Sequence, residues 1–280
     1  MKKIAIVFNS LKDNELINTK KVINILKNRA EVYIDEVYKH LGFDVNYVKY
    51  EQLFVYSDLM IVLGGDGTIL QIATMCAKNN IPVLGINLGR IGFMTEAEPD
   101  NIDASIDAVL NDDYKIESRM LIKAQIVKGN IKRSFHSLND VVISKNTQSK
   151  LINVELYADD ELVNTYIADG LIIATPTGST GYSISAGGPV VDPNMQLYIA
   201  TPICPHMLSV RSAVLPAQKK IIIRLNEDYR DNYAVVAFDG DIKETLDVGD
   251  EIIITKSKYE FKIIKVNDFS FFDAVLHKLP

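Results

Sequence analysis

The chain has 280 residues, 48% hydrophobic and 24% charged, which is the composition of an ordinary soluble protein with two domains or one large one. Its formal charge of −6 argues against a nucleic-acid partner, because no broad basic surface is implied. Cys76 and Cys204 are far apart and lack the spacing of metal ligands, so we expect structural thiols and no need for an oxidising compartment.

The first hundred residues alternate between strand and helix signals. Apolar runs of strand length occupy residues 4–8, 43–48, 59–63 and 83–86. Helical spacing predicts one long helix or two shorter ones over 22–41, with Gly42 ending the last turn. Such alternation predicts a parallel sheet covered by helices on both faces. The first run is too short for a signal peptide and no run reaches membrane-spanning length, so we expect a cytoplasmic protein.

A glycine turn follows the third strand. Residues 64–68 read Gly-Gly-Asp-Gly-Thr, and apolar residues at helical spacing come after them. Glycines let a ligand approach the backbone closely, and amides at the start of a helix favour anions. Asp66 stands at the carboxyl end of a strand, where parallel sheets bind ligands. Beside an anion it must bind a metal, accept a proton or contact a hydroxyl; otherwise it is a helix cap.

Residues 87–93 follow the fourth strand and border the same edge of the predicted sheet. Arg90 in this loop is either a residue of the cleft or a surface charge. A helix is predicted from residue 99, with Asp100 as its N-cap and an apolar face that includes Ile102 and Ile106.

The pattern changes near residue 114 to short strands separated by turns. These strands are predicted at 121–127, 131–138, 141–144, 152–157, 162–167, 219–225, 233–238, 251–255 and 260–265. Residues 269–276 read as an apolar helix. The sequence therefore predicts an α/β N-terminal domain with a parallel sheet, followed by a mostly β C-terminal domain.

A second glycine-rich motif narrows the function. Residues 169–189 contain the run Thr-Pro-Thr-Gly-Ser-Thr-Gly-Tyr-Ser, which reads as a strand-to-helix turn lined with hydroxyls. Together with residues 64–68, this stretch resembles the bacterial NAD kinase family almost residue for residue. The first motif is also similar to that of diacylglycerol and sphingosine kinases and of phosphofructokinases. Further matches are Asn139-Asp140, the run 202–206 with Arg211 beyond it, and Asp239-Gly240.

The resemblance implies a two-domain kinase that phosphorylates the 2′-hydroxyl of the adenosine ribose of NAD, using ATP and Mg²⁺ or another divalent cation. No dedicated metal-binding residues are expected. It also implies a domain of residues 1–98, joined by the tail 266–280, and a dinucleotide-binding domain of residues 99–265. The expected partners are the small-molecule substrates NAD and ATP, with no nucleic acid and no membrane. The protein is expected to form a homodimer or homotetramer. Two rival functions are a kinase acting on another alcohol, such as a lipid, and a non-catalytic dinucleotide-binding protein.

The resemblance also assigns roles to residues. Asp66 would be the general base, Gly65 and Gly67 would contact phosphates, and Asp169 would hold the nicotinamide end. The other implied contacts to the dinucleotide are Asn139, Asp140, Lys150, Ile167, Thr180, Gly181, Tyr182, Ser183, Ile184, Ser185 and Asp241.

Several of these residues have a second interpretation. Asn139-Asp140 is otherwise an Asx turn, where the family has Asn-Glu. Tyr182 either stacks on a base or packs in the core, and Lys150 is otherwise an exposed lysine. Some relatives have arginine at Ile167 and glutamine at Asp241, so these two positions depart from the family. Gly181, where alanine is common, should loosen the helix start slightly, and His206 in its proline turn is interpreted as structural.

Overall fold

The structure is a computed structural model that describes residues 1–89, 92–146, 151–206, 211–226 and 233–278. Contacts between residues divide the chain into two units, Met1–Ser118 with Tyr259–Pro280, and Arg119–Lys258. Arg90 and Lys150 lie outside the described residues.

The strands are β1 (Lys2–Phe8), β2 (Ala30–Asp35), β3 (Asn46–Val48), β4 (Leu59–Gly64), β5 (Val83–Asn87), β6 (Lys115–Lys128), β7 (Ile131–Ser137), β8 (Asp140–Lys145), β9 (Ile152–Ala158), β10 (Glu161–Ala168), β11 (Gly170–Ala174), β12 (Leu197–Ile203), β13 (Ala213–Pro216), β14 (Ile221–Leu225), β15 (Tyr233–Phe238), β16 (Asp241–Asp247) and β17 (Glu251–Lys265). The α-helices are α1 (Ile17–Leu26), α2 (Tyr50–Tyr56), α3 (Asp66–Asn79), α4 (Ile102–Leu110), α5 (Tyr182–Ser185) and α6 (Phe271–Lys278). Short 3-10 helices cover Asn14–Leu16, Glu36–Leu41, Pro99–Asn101 and Thr177–Thr180.

The first unit is built on a parallel sheet in the order β3-β2-β1-β4-β5, with the last part of β17 pairing beside β5. Every residue of β4 is buried, because both of its faces are covered. The predicted parallel α/β arrangement is confirmed. Since neighbouring strands run the same way, the segments after β1, β4 and β5 leave the sheet at one edge.

Helices pack on both faces of this sheet. On one face, Leu26 of α1 and Ile106 of α4 share a core with the strand residues Ile6 and Ile61. On the other face, α3 packs against β4, where Cys76 and Met60 bring their sulfur atoms to 3.8 Å. The thiol of Cys76 is fully buried, whereas Cys204 is exposed, and both cysteines are free.

The second unit is mostly β, as the sequence predicts. One antiparallel sheet has the order β13-β12-β11-β8-β15-β16. The other contains β10, β9, β14 and the first part of β17, and β6 pairs with β7 as a hairpin. Both sheets contribute to one core, with Val141 and Ile173 from the first and Leu156 and Ile223 from the second.

The prediction of one long helix or two shorter ones over 22–41 is wrong in the middle of this range, although α1 and the 3-10 helix Glu36–Leu41 occupy its two ends. The helix α1 ends at Leu26, and β2 follows with Ala30, Val32 and Ile34 buried on one side. A short apolar segment fits either period, and here pairing with β1 selects the strand. The prediction for Gly42 is confirmed, since it follows the 3-10 helix Glu36–Leu41 with a left-handed φ of 68°.

The helix after residue 99 is confirmed, but its predicted N-cap is wrong. Asp100 lies inside the 3-10 helix Pro99–Asn101, and the turn is closed when the N–H of Glu98 donates to Oδ1 of Asn101 at 2.8 Å. The residues Ile102 and Ile106 are buried, as expected.

Several elements of the second half were not predicted. The strands β12, β13 and β16 and the earlier helix α2 are absent from the sequence-based prediction. The strands predicted at 251–255 and 260–265 are one strand, β17. In its polar middle, the buried Ser257 forms a hydrogen bond with Nδ1 of His136 at 3.0 Å, so this hydroxyl has a partner inside the fold.

The unit boundaries fall at 118/119 and 258/259, whereas the sequence places domain boundaries at 98/99 and 265/266. The difference at the first boundary comes from α4, whose apolar face packs into the core of the first unit. None of the helices in the described ranges is both long enough and apolar enough to cross a membrane.

Candidate active site

The glycine turn lies where β4 ends and α3 begins. Gly65 is the N-cap of α3, and its carbonyl oxygen accepts hydrogen bonds from the N–H groups of Thr68 and Ile69 at 2.9 and 3.2 Å. A Cβ on Gly64 would overlap the side chain of Thr68, so this position requires glycine. The first N–H groups of a helix have no partner within the helix, so the turn, including the exposed Gly67, offers donors to an anion.

Asp66 is the first residue of α3, and its carboxylate contacts the segment after β5. Its two oxygens accept hydrogen bonds from the N–H groups of Phe93 at 2.9 Å and Met94 at 3.1 Å. A Cβ on Gly92 would overlap this carboxylate, so the close approach of the segment requires glycine. The helix-cap interpretation of Asp66 is wrong, because Gly65 occupies the N-cap position.

Lys278 of α6 is the third donor to Asp66. Its Nζ lies 3.4 Å from Oδ2 of Asp66 and 4.1 Å from the centroid of the Phe93 ring. The side chains of Asp66 and Lys278 are 29% and 25% exposed, so a ligand can reach the pair from solvent. Phe271 in the first turn of α6 packs on Phe93, with ring centroids 5.8 Å apart.

A cavity of about 280 Å³ opens at the same edge of the sheet. It is lined by residues 9–11 after β1, by Tyr38 and Tyr50, and by Thr68 and Gln71 of α3. Aromatic walls with a few polar groups are typical of sites for small molecules.

The second unit carries a separate group of predicted site residues, centred on the turn before β8. The carboxylate of Asp239 holds this turn by accepting hydrogen bonds from the N–H groups of Leu138, Asn139 and Asp140 at 2.8, 2.7 and 3.2 Å. Asp239 itself has a left-handed φ of 51°, and Gly240 follows with a φ of 87°. The Asx-turn interpretation is wrong, because the turn is closed by Asp239 and not by its own side chains.

Asp140 lies in surroundings that disfavour its charge. Burial raises the pKa of Asp140 to about 7, with the negative charge of Asp239 adding to the effect. Burial also raises the pKa of Asp239 to about 6, although its three N–H donors act in the opposite direction. Oδ1 of Asn139 is buried with no hydrogen-bond partner among the described residues. A buried acid beside an unpartnered amide oxygen is typical of a functional site.

Two glycines of the second motif lie against this pair. A Cβ on Gly178 would overlap the carbonyl group of Asn139, so the motif approaches the turn only with glycine there. A Cβ on Gly181 would lie 3.6 Å from Nδ2 of Asn139 and 3.9 Å from Oδ2 of Asp140. The N–H of Thr175 donates to the carbonyl oxygen of Asn139 at 2.8 Å, which ties the motif to the turn.

The hydroxyl-bearing residues of the motif differ in their accessibility. Tyr182 is 48% exposed, which excludes the interpretation that it packs in the core. Ser183 is buried, and its hydroxyl forms a hydrogen bond with Oγ1 of Thr201 at 3.0 Å. Ser183 therefore supports the motif from the interior.

The remaining motif residues lie nearer the surface. Thr180 is half-buried and donates to the carbonyl oxygen of Thr177 at 3.3 Å. Ile184 is half-buried and Ser185 is exposed, both within α5.

Asp169 precedes β11 and forms an ion pair with Lys145 of β8. Nζ of Lys145 lies 2.6 Å from Oδ1 of Asp169, and both side chains are 33% exposed. A Cβ on Gly170 would lie 2.5 Å from the carbonyl oxygen of Ile143, so β11 and β8 approach closely beside this pair. The ion pair fixes the direction of the Asp169 carboxylate while leaving it accessible.

Two predicted contacts have other partners in the structure. The carbonyl oxygen of Ile167 accepts a hydrogen bond from the N–H of His206 at 2.8 Å. Asp241 is exposed, and its carboxylate lies 3.1 Å from Nζ of Lys243. The turn at Asn139 is contacted instead by the carboxylate of Asp239. Within the described ranges, no three side chains of Asp, Glu, His or Cys gather as a metal-binding group.

Comparison with known proteins agrees with this geometry. Sequence models of the ATP-NAD kinase N-terminal and C-terminal domains match residues 4–114 and 138–266. The chain is 39% identical to the NAD kinase of Caldanaerobacter subterraneus subsp. tengcongensis, over 100% of this chain and 99% of the relative. Among solved structures, yeast NADH kinase complexed with NADH is similar with a TM-score of 0.89 at 26% identity, covering 100% of this chain and 87% of the other. An NAD kinase from Archaeoglobus fulgidus in complex with ATP has a TM-score of 0.74 at 27% identity, covering 98% and 97%.

The fold and the two motifs define a phosphotransferase with an alcohol group as acceptor. The chain belongs to the NAD kinase family, whose reaction converts NAD to NADP. The resemblance noted from the sequence is confirmed. The rival functions, a kinase for another alcohol and a non-catalytic binding protein, are not favoured, because both domains of the family match.

Three residues of the site were not identified as such from the sequence. Asp239 belongs to a recognised motif, and an Asp-Gly pair is a signal for a left-handed turn, but its three hydrogen bonds have no local signature. Lys145 lies in a strand, and no motif or spacing in the sequence marks it as a site residue. Lys278 lies 212 residues from Asp66 in the chain, so no spacing argument connects the two.

We expect Asp140→Asn to stabilise the protein at about pH 8 and not at about pH 4. The pKa of an aspartate is about 3.9 in an unfolded chain, whereas that of Asp140 is about 7 in the fold. The folded state binds the proton more tightly, so stability present below about pH 4 is lost as the pH rises through about 7. The amide of the Asp140→Asn variant carries no charge at any of these pH values, so the variant does not lose this stability.

Melting temperatures measured across this pH range test the prediction. The difference between the variant and the parent should be positive near pH 8 and vanish near pH 4. The matched control is Asp160→Asn, in an exposed turn, which should show no such trend. Equal melting of Asp140→Asn and the parent at every pH would exclude a raised pKa.

Proposed function

We propose that the chain transfers the γ-phosphoryl group of ATP to the 2′-hydroxyl of the adenosine ribose of NAD, with Asp66 as the base that accepts the hydroxyl proton. The observation that carries the proposal is the carboxylate of Asp66, held next to the N–H donors of the glycine turn. A ribose hydroxyl is a poor nucleophile near neutral pH. A carboxylate in hydrogen-bond reach takes its proton as the bond to phosphorus forms.

The donor nucleotide is placed with its phosphates at Gly65 and Gly67. The unpaired N–H groups at the start of α3 suit anionic oxygens. Its base is placed toward the cavity lined by Tyr38 and Tyr50, which lies at the same edge of the sheet. Positioning and charge neutralisation then supply most of the rate acceleration.

The acceptor dinucleotide is placed against Asn139 and Asp140. The unpartnered Oδ1 of Asn139 and the buried carboxyl group of Asp140 offer hydrogen bonds to ribose hydroxyls or an amide. Gly181 lies close to both side chains, and the exposed ring of Tyr182 offers a stacking surface. Contacts from Lys150, Ile167, Thr180, Ile184, Ser185 and Asp241 stay predictions.

The divalent cation, Mg²⁺ or another, is proposed to arrive with ATP. Both oxygens of Asp66 already accept N–H groups, and the described residues hold no cluster of metal-ligating side chains. These observations fit a cation held by phosphates and water. In that position the cation would neutralise charge on the phosphates.

We expect purified protein to make NADP from NAD, ATP and Mg²⁺, and Asp66→Asn to lower the turnover number about 10²- to 10⁴-fold, as for the loss of a general base. The amide keeps the shape of the carboxylate, so NAD affinity measured by calorimetry should change little. NADP formation is measured with an NADP-specific coupling enzyme.

The Asp66→Asn result separates three roles. If Asp66 binds the metal, excess Mg²⁺ should partly restore the variant. Near-normal turnover without added metal would leave Asp66 with a structural role only. The control Asp58→Asn, at an exposed position before β4, should leave turnover unchanged.

We also expect Asp169→Ala to raise the KM for NAD roughly 10-fold, the effect of losing a hydrogen bond to a charged group. The KM for ATP should stay within about twofold, because Asp169 is proposed to contact only the nicotinamide end of NAD. Steady-state kinetics with each substrate varied in turn measures both constants. Equal changes in the two constants, or no change, would contradict this role.

The working form is proposed to be a cytoplasmic homodimer or homotetramer. The two cysteines form no disulfide, so nothing in the described residues requires an oxidising compartment. Light scattering should then give a mass of two or four times 31.3 kDa, and a single-chain mass would contradict the proposal.

A further inference from the structure

An acid beside a phosphate-binding turn presents an electrostatic problem. The turn attracts anions through its N–H groups, yet Asp66 places a negative charge at the first residue of α3. Repulsion between this carboxylate and an incoming triphosphate would weaken the binding of the triphosphate. It would also push the carboxylate away from the acceptor hydroxyl. The site therefore needs a compensating positive charge close to Asp66.

Lys278 meets this need from the C-terminal helix. Its Nζ lies 3.4 Å from Oδ2 of Asp66, on the oxygen that also accepts the N–H of Phe93 at 2.9 Å. The ammonium group is held over the Phe93 ring at 4.1 Å from the centroid, a cation–π contact. The packing of Phe271 on the same ring places α6 against the segment that contacts Asp66. The contacts at the ring hold Lys278 beside Asp66.

We propose that Lys278 is a positioning residue for the phosphoryl transfer. Its ammonium group holds Oδ2 of Asp66 and balances the charge of the carboxylate when a triphosphate binds at the glycine turn. This inference rests on the proposed role of Asp66 as the base. It adds the C-terminal helix to the machinery, although that helix carries no glycine-rich or acidic motif.

If the ion pair only anchored α6, its removal would lower the melting temperature together with turnover. Partly exposed ion pairs contribute little to stability, so removal of the ammonium group should leave the fold intact. An effect on turnover without an effect on melting would separate positioning from anchoring.

The test is the variant Lys278→Met, which keeps most of the apolar side chain and removes the charge. We expect turnover to fall roughly 10- to 100-fold, the effect of one charge-assisted hydrogen bond, and the KM for ATP to rise. The KM for NAD and the melting temperature should stay the same. Lys278→Arg should recover most of the lost turnover, because it restores the positive charge.

The matched control is Leu276→Ala on the same helix, whose side chain is 76% exposed and which should behave as the parent. Normal turnover of Lys278→Met would overturn the proposal. So would a loss accompanied by a lower melting temperature that Lys278→Arg does not recover.

A double-variant cycle separates this inference from the proposed role of Asp66. If Lys278 acts through Asp66, adding Lys278→Met to Asp66→Asn should lower turnover little further. If Asp66→Asn alone is nearly normal, the role of Asp66 as base fails. If Asp66→Asn is impaired and the two losses simply multiply, Lys278 does not act through Asp66 and only the inference about Lys278 fails.

Discussion

Hydrogen bonds from backbone N–H groups to carboxylates are the interaction on which the candidate site residues of each unit depend. Asp66 holds the segment after β5 through two N–H groups, and Asp239 holds the turn before β8 through three. Backbone donors left without a partner cost free energy, and a charged acceptor binds them more strongly than a neutral one. Each segment is therefore fixed by one side chain, at the positions where ligand contacts are proposed.

The same arrangement places negatively charged groups where negatively charged ligands are proposed to bind. At Asp66 the charge is offset by the ammonium group of Lys278. At Asp140, burial beside Asp239 raises the pKa of the carboxyl group to about 7. Such a group lowers the stability of the free protein above its pKa. Sites selected for binding often retain unfavourable groups of this kind.

Local patterns predicted the elements that carry a strong apolar signal, either a continuous buried run or a clear period. The buried runs of β1, β4 and β5, the long helix α3 and the strands near Ile143 and Val154 belong to this group. The failures share a cause. The segment that contains Val32 and Ile34 alternates as a strand does, but Tyr33, Val37 and Leu41 also recur at helical spacing. The edge strand β16 is too polar to be recognised. In both cases pairing with a neighbouring strand supplies what the segment lacks by itself.

The sequence by itself determined the class of enzyme, because its two glycine-rich motifs are short, continuous segments that resemble those of the NAD kinase family. It also determined the order of the parallel α/β part and the β part. Only the tertiary structure decided what holds those turns. Asp239 contacts Asn139 across 100 residues of chain, and Lys278 contacts Asp66 across 212. Periodicity and spacing describe neighbours along the chain, whereas these partners meet only after the strands have paired and α6 has packed.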